Sequence, residues 1–235
     1  MELAGIVGGI APESTVDYYR RIVALWRERT GDGSYPSLLL DSIDLQRMLR
    51  LVAEDPGALT DWLVLELERL ARAGATFGAL ASNTPHVVLD ALRSRSPIPL
   101  VSIVEATCRE ATARSLRRVG LLGTRFTMDG RFYPDVFSRA GVTAVAPAPE
   151  DRALVHARYM DELVKGVFRD ETRAELAAVV TRLRAREGVE AVVLAGTELP
   201  LLLREVATPV PLLDTTDLHV RAIVDQILES AGAGG

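Results

Sequence analysis

The chain has 235 residues, of which 48% are hydrophobic and 25% are charged, and its net charge at pH 7 is −5. This length and balance are typical of a soluble globular protein with one large domain or two small ones. The mild negative charge argues against a nucleic-acid-binding surface, which would need a basic stripe. No run of apolar residues reaches the roughly 18–20 that a membrane span needs. The N-terminal residues do not show the pattern of a signal peptide. We therefore expect a cytoplasmic protein with neither a membrane nor a nucleic-acid partner.

Apolar strand patterns alternate with helical patterns along the chain. Strands are predicted at 3–9, 37–44, 77–82, 118–124, 142–147 and 191–196. Helices are predicted at 12–31, 58–75, 153–168, 171–187 and 218–230, and the segment 100–115 combines a short strand with a helix. The final 231–235 is expected to be a frayed tail. Because this alternation is typical of parallel sheets covered by helices, the predicted fold class is α/β.

An internal repeat indicates two similar lobes. The sequence GIVGG at 5–9 resembles GLLGT at 120–124, and LASNTP at 80–85 resembles LAGTEL at 194–199. The two offsets are nearly equal, at about 115 residues. We expect one lobe from 1–98 plus 212–235 and the other from 99–211, with ligands bound at the carboxyl ends of the strands.

The motif VGGIAPEST follows the first predicted strand. Gly9 would let the backbone approach a ligand closely, and Thr15 lies near a helix start, where free N–H groups favour an anion. A tight turn with a helix cap explains the same residues.

The motif SNTPH at 82–86 follows the third predicted strand. Asn83 and Thr84 can donate hydrogen bonds to a carboxylate, but capping of the next helix is the alternative. His86 could orient or protonate a ligand, since histidine titrates near neutral pH, or it could be a hydrogen-bonded structural residue.

The matching motif of the second half is GTELPLLL, in which Glu198 could cap a helix or hold a substrate ammonium group.

Lys165 is the single lysine of the chain, and a ligand-contacting lysine is hard to replace by arginine. Alternatively, Lys165 could have no function and simply be the one lysine left in a chain that uses arginine for its other positive charges. Cys108, the single cysteine, lies in a helical pattern and is interpreted as buried packing. The histidines show no metal-ligand spacing, so neither a metal nor another cofactor is expected.

Together, these motifs resemble the aspartate/glutamate racemase superfamily that works without pyridoxal phosphate. The matching pieces are GIVGGIAPESTVDYY, DSIDL, ASNTPH, GLLGTRFTM, FY at 132–133, YMDELVKG, VVLAGTELPLLL and PLLDTTDLHVRAIVD, which cover nearly the whole chain. The resemblance implies two pseudo-twofold-related α/β lobes, an active site in the cleft between them, a small carboxylic or amino-acid substrate and a homodimer. It also implies two-base proton exchange at the carbon next to a carboxylate, with one cysteine on each side.

Both cysteine positions are substituted, by Ser82 and by Gly196. A thiol ionises near pH 8.5, whereas a serine hydroxyl is a much weaker acid that needs a neighbouring base, for which His86 is the candidate. Gly196 cannot transfer a proton, so Thr197 or a water would have to serve the second face. The expected catalytic residues are therefore Ser82, Thr197 and His86.

The resemblance carries over more fully for substrate binding. The residues expected to bind substrate are Gly9, Thr15, Arg47, Asn83, Thr84, Thr124, Lys165, Gly196 and Glu198. Of these, Lys165 and Arg47 fall near family positions that grip a side-chain carboxylate. We expect an amino-acid racemase or epimerase. The alternatives are carbanion chemistry with one proton donor (a decarboxylase, lyase, isomerase or cyclase) and a catalytically silent ligand-binding homologue.

Overall fold

The structure is a computed structural model that describes residues 2–232, with side chains up to residue 229. Two compact units are present, which we call unit 1 (Met1–Ile103 and His219–Gly235) and unit 2 (Val104–Leu218). Residues 233–235, most of the expected frayed tail, lie outside the described residues.

Each unit contains one parallel sheet. The strands are β1 (Ala4–Gly8), β2 (Leu38–Ser42), β3 (Phe77–Leu80), β4 (Leu100–Val101), β5 (Arg118–Gly123), β6 (Thr143–Val145), β7 (Ala191–Ala195) and β8 (Leu212–Asp214). The order is β2-β1-β3-β4 in unit 1 and β6-β5-β7-β8 in unit 2. The two sheets thus repeat one topology, and the predicted α/β class with two similar units is confirmed.

Helices cover the strands, as parallel connections require. They are α1 (Pro12–Thr30), α2 (Leu45–Glu54), α3 (Pro56–Arg72), α4 (Leu89–Arg93), α5 (Ile103–Ala113), α6 (Arg125–Met128), α7 (Phe132–Arg139), α8 (Pro149–Asp161), α9 (Asp170–Glu187), α10 (Leu199–Leu203) and α11 (Thr215–Gly232). Two 3₁₀ turns, Thr84–Val88 and Leu163–Lys165, follow β3 and α8. Within residues 2–232, no helix is both long enough and apolar enough to cross a membrane.

The central strands form the core of each sheet. Every residue of β1, β3 and β7 is buried, which is typical of parallel strands covered on both faces. In unit 1, Tyr18 and Ile22 of α1 and Ile223 of α11 pack on this surface. In unit 2, Leu176 and Val180 of α9 pack against β7.

Several elements differ from the sequence prediction. The segment before the predicted helix at 58–75 forms α2, and α3 begins earlier, at Pro56, because Asp44 and Asp55 cap the two helices with their side chains. The predicted helix at 153–168 begins at Pro149 and ends at Asp161. A 3₁₀ turn follows it and stops at Gly166, whose φ is 70°. These differences leave the ends of the central strands, which position the polar motifs, as predicted.

Candidate functional site

The loop after β1 is held together by Thr15. Gly9 has a φ of +84°, and a Cβ there would lie 2.7 Å from Ser42 Oγ, so only glycine fits. The Gly9 N–H donates to Thr15 Oγ1 at 2.8 Å, and that hydroxyl donates to Ala11 O at 3.3 Å. Thr15 therefore stabilises the turn, which agrees with the tight-turn part of that alternative, whereas the N-cap position of α1 is held by Ala11. Substrate binding by Gly9 and Thr15 stays a prediction.

The residues after β3 form a buried polar group, which we call the Ser82 group: Ser82, Asn83, Thr84 and His86. Their relative exposures are 6%, 2%, 4% and 2%. The chain turns here because Pro85 suits a first helical turn and the His86 N–H donates to Asn83 O at 3.1 Å. Polar side chains so deeply buried at the end of a central parallel strand fit a ligand-binding edge better than a solvated cap.

His86 is neutral at physiological pH. Burial is the main cause that lowers its pKa to about 3, the positive forms of the neighbouring His219 and Arg93 contribute to the same shift, and the backbone of Ser82 partly opposes it. Neither ring nitrogen has a hydrogen-bond partner of good geometry in the part of the chain that the structure describes. His86 can thus accept a proton but cannot supply one as an imidazolium ion, so the expected role as a proton donor finds no support.

A second buried polar group, which we call the Tyr159 group, lies in unit 2 and contains Tyr159, Gly196, Thr197 and Glu198. The Tyr159 hydroxyl donates to Glu198 Oε2, and Thr197 Oγ1 donates to the same oxygen at 3.2 Å. Thr197 and Glu198 are each only 1% exposed. Two hydroxyl donors therefore satisfy one carboxylate oxygen away from bulk water.

Gly196 is a glycine because Tyr159 occupies the space that a side chain would need. A Cβ at position 196 would lie 2.9 Å from both the Cζ and the Oη of Tyr159. Tyr159 begins the motif YMDELVKG, but its place in the sequence predicts no role for it. Its relation to Gly196 could be found only from coordinates, because the two residues lie on different elements.

The pKa of Tyr159 is raised well above its usual value. Burial is the main cause, and the negative charge of Glu198 is the next. The phenol therefore keeps its proton at neutral pH and acts as a hydrogen-bond donor.

The other expected binding residues lie apart from these two groups in sequence. Thr124 is buried and caps α6, its Oγ1 accepting from the Thr127 N–H at 3.4 Å. Arg47 is exposed on α2, and its guanidinium carbon lies 4.4 Å from the centre of the Trp62 ring. Lys165 is exposed at the end of a 3₁₀ turn. Binding roles for all three stay predictions.

The sequence and fold now define the class of protein. Residues 7–223 match the model of the family described as Asp/Glu/Hydantoin racemase. Because this match spans most of the chain, the protein belongs to that family.

Three relatives give the match more detail. The broad specificity amino-acid racemase RacX of Bacillus subtilis is 21% identical over 241 residues, covering 96% of this chain and 98% of RacX. A candidate Asp/Glu racemase from Yersinia pestis has a crystal structure that is 30% identical, with a TM-score of 0.87, covering 97% of this chain and 100% of that one. An aspartate racemase homologue from Pyrococcus horikoshii is 32% identical, with a TM-score of 0.82, covering 96% of this chain and 99% of that one.

Proposed function

We propose that the chain catalyses proton transfer at the carbon next to the carboxylate of a small amino or carboxylic acid, without a cofactor. The observation that carries the proposal is the Ser82 group: a buried hydroxyl, amide and hydroxyl in sequence at the end of the central strand β3. Family membership supports the reaction class, since RacX is named as an amino-acid racemase.

The roles follow from the chemistry of the side chains. Asn83 and Thr84 donate hydrogen bonds to the substrate carboxylate. Ser82 exchanges the proton on one face of the carbon, and its own proton passes to the neutral ring of His86. This transfer requires a ring nitrogen to move within hydrogen-bond reach of the Ser82 hydroxyl, since neither nitrogen has a partner among the described residues. A pKa of about 3 makes His86 a weak base, and each pKa unit costs about 1.4 kcal/mol of driving force. The proposal therefore implies slow turnover or a substrate with an acidic C–H bond.

A second candidate is carbanion chemistry that needs one proton donor, as in a decarboxylase, lyase, isomerase or cyclase. Gly196 favours it, because the second strand-end position has no side chain of its own. A product other than the opposite enantiomer distinguishes this candidate from racemisation.

The test is a panel of amino and dicarboxylic acids incubated with the protein in D₂O. Proton NMR reports loss of the α-hydrogen and any new product, and chiral chromatography reports inversion. We expect α-hydrogen exchange for at least one compound, falling about 100-fold in Ser82→Ala. If no compound in the panel exchanges or forms a product while at least one raises the melting temperature, the enzymatic proposal is overturned in favour of ligand binding.

We also propose that the chain works as a cytoplasmic homodimer, as the family resemblance implies. Sedimentation equilibrium over a range of protein concentrations tests the assembly. A single species with the 25.5 kDa mass of one chain would contradict it.

A further inference from the structure

Unit 2 contains a cavity of about 390 Å³ beside the start of α9. Arg173 of α9 forms one wall, and residues of α10 and of the loop that follows it form the rest. This volume lies within the range of small-molecule sites. The lining residues belong neither to the Ser82 group nor to the Tyr159 group, so the cavity is built separately from the residues proposed for proton transfer.

Arg173 is anchored at the wall of the cavity. Its Nε donates to the Leu202 carbonyl oxygen at 3.1 Å, which ties α9 to α10. Its Nη1 donates to Asp170, but the Asp170 side chain is 91% exposed, so water screens this pair and the pair contributes little. Its Nη2 has no partner in the part of the chain that the structure describes. The guanidinium is therefore held in place and can still donate two parallel hydrogen bonds to a carboxylate.

Glu205 brings a negative charge to the same cavity. It is exposed in the loop after α10, and it forms neither a hydrogen bond nor an ion pair with another described residue. The adjacent Arg204 also lines the cavity, and its Nε lies 3.9 Å from Asp214 Oδ2. The cavity thus presents charges of both signs. A simple anion would be repelled by Glu205, whereas a zwitterion would use both charges.

The rest of the lining is apolar. Pro200 and Leu202 are buried, and Leu201 and Val206 are half-buried. Leu202 belongs to the hydrophobic core of unit 2 and Val206 packs against that core, so the fold holds this apolar surface in place. A ligand with an apolar group would remove the surface from water, which favours binding.

We propose that this cavity binds a free amino acid with an apolar side chain in its zwitterionic form. Arg173 holds the carboxylate, Glu205 holds the ammonium group, and the apolar lining contacts the side chain. This inference goes beyond the proposed function, because it assigns a second ligand site at which no bond is made or broken.

The helix α10 links this cavity to the Tyr159 group. Glu198 is the N-cap of α10 and Arg204 is its C-cap, so the two residues lie about 9 Å apart along the helix. A ligand that orders the C-terminal end of α10 therefore stabilises the helix that begins beside the Glu198 carboxylate. We expect bound ligand to slow the exchange of the backbone amide hydrogens of 199–206.

The test compares four probes by isothermal titration calorimetry. Leucine carries all three features that the cavity recognises. Leucine amide lacks the carboxylate, 4-methylpentanoate lacks the ammonium group, and glycine lacks the apolar side chain. We expect leucine to bind at least about ten times more tightly than each of the other three. Hydrogen exchange measured by mass spectrometry locates the site, with protection at 199–206 and none at 82–86.

Two variants assign the charged groups. Glu205→Gln should weaken the binding of leucine about tenfold but leave that of 4-methylpentanoate unchanged. Arg173→Gln should weaken leucine and 4-methylpentanoate but not leucine amide. Glu205 is exposed and contacts no other described side chain, so its variant tests the site even where Arg173→Gln fails to fold. Glu54→Gln, at an exposed glutamate of α2, is the matched control and should bind leucine as the wild type does.

The outcomes separate this inference from the proposed function. Wild-type protein that shows no saturable binding of leucine up to about 20 mM overturns the inference. Leucine binding that is equally strong in Glu205→Gln and Arg173→Gln, or that protects 82–86 instead of 199–206, overturns it as well. Protein that binds leucine as expected but exchanges the α-hydrogen of no compound overturns only the proposed function.

Discussion

The Ser82 group and the Tyr159 group end equivalent strands of two sheets with the same topology, yet they are built differently. In unit 1 the polar side chains come from the residues that follow the strand, and the nearby His86 is neutral with a pKa of about 3. In unit 2 the residue after the strand is a glycine, and a helix contributes the phenol that fills its place. The two equivalent strand ends therefore carry buried hydroxyl groups that come from different parts of the chain, from residue 82 itself in unit 1 and from helix α8 in unit 2.

The largest expected effect comes from changing the reacting atom in the Ser82 group. Ser82→Cys replaces a hydroxyl by a thiol, whose ordinary pKa near 8.5 makes it a better proton acceptor without help from His86. We expect the α-hydrogen exchange rate in D₂O to rise about 100-fold for the enantiomer deprotonated in unit 1. Ser138→Cys, on the exposed surface of α7, should leave the rate unchanged. An unaltered rate in Ser82→Cys would mean that residue 82 does not touch the reacting hydrogen.

The same substitution should act very differently in unit 2. Gly196→Cys places a Cβ against the Tyr159 ring, so we expect the free energy of unfolding to fall by about 1–3 kcal/mol. Ser82→Cys should cost less than about 1.5 kcal/mol, because it nearly conserves volume. Urea denaturation measures both values.

A double variant sharpens this contrast. Tyr159→Leu removes the ring edge that overlaps the new Cβ, so part of the loss in Gly196→Cys should be recovered when the two changes are combined. Strict additivity of the two unfolding free energies would show that Tyr159 is not what excludes a side chain at position 196.

His86 gives unit 1 a dependence on acid. Its pKa is about 3 in the folded protein and near 6.5 when unfolded, so the unfolded chain binds the proton first as the pH falls. The contribution of the neutral His86 ring to the free energy of unfolding is therefore fully present above pH 6.5. It is lost progressively as the pH falls from 6.5 to about 3.

We expect the free energy of unfolding to fall by about 2 kcal/mol between pH 6.5 and pH 5 because of His86. In His86→Gln this fall should be absent. Urea denaturation at pH 7.5 and pH 5 gives the comparison. His156→Gln is the control, because that half-buried residue should change the pH dependence less. A wild-type and a His86→Gln protein with the same pH dependence would contradict the buried neutral ring.

The smallest expected effect concerns the loop after β1. Thr15→Val removes the acceptor of the buried Gly9 N–H and should cost about 1 kcal/mol of unfolding free energy. Thr124→Val, which removes the cap of the four-residue helix α6, should cost no more. Thermal unfolding of both variants shows which of the two substitutions costs more unfolding free energy. A Thr15→Val protein as stable as the wild type would indicate that the loop does not depend on this hydroxyl.

The strands that carry both groups could be predicted from sequence because their residues are buried in unbroken apolar runs. β1, β3 and β7 appear within one or two residues of their predicted ends. The helix α2 and the strand β8 were missed, although Asp44 supplies a capping signal for α2.

The two polar groups were predictable to different degrees. Ser82, Asn83 and Thr84 are adjacent in sequence and follow a strand, so their meeting needs no long-range information. Tyr159 and Glu198 lie 39 residues apart, and only the packing of α8 brings the phenol to the carboxylate. A glycine at position 196 gives no sign in the sequence of the ring that fills its space.

The competition of Gly196 and Tyr159 for one volume also constrains how this chain can evolve. A substitution at 196 is penalised while the tyrosine is present, and loss of the tyrosine leaves a void beside the glycine. Relatives should therefore carry a small residue at the position of Gly196 together with a large ring at the position of Tyr159, or the reverse. Relatives with two large or two small residues at these positions should be rare.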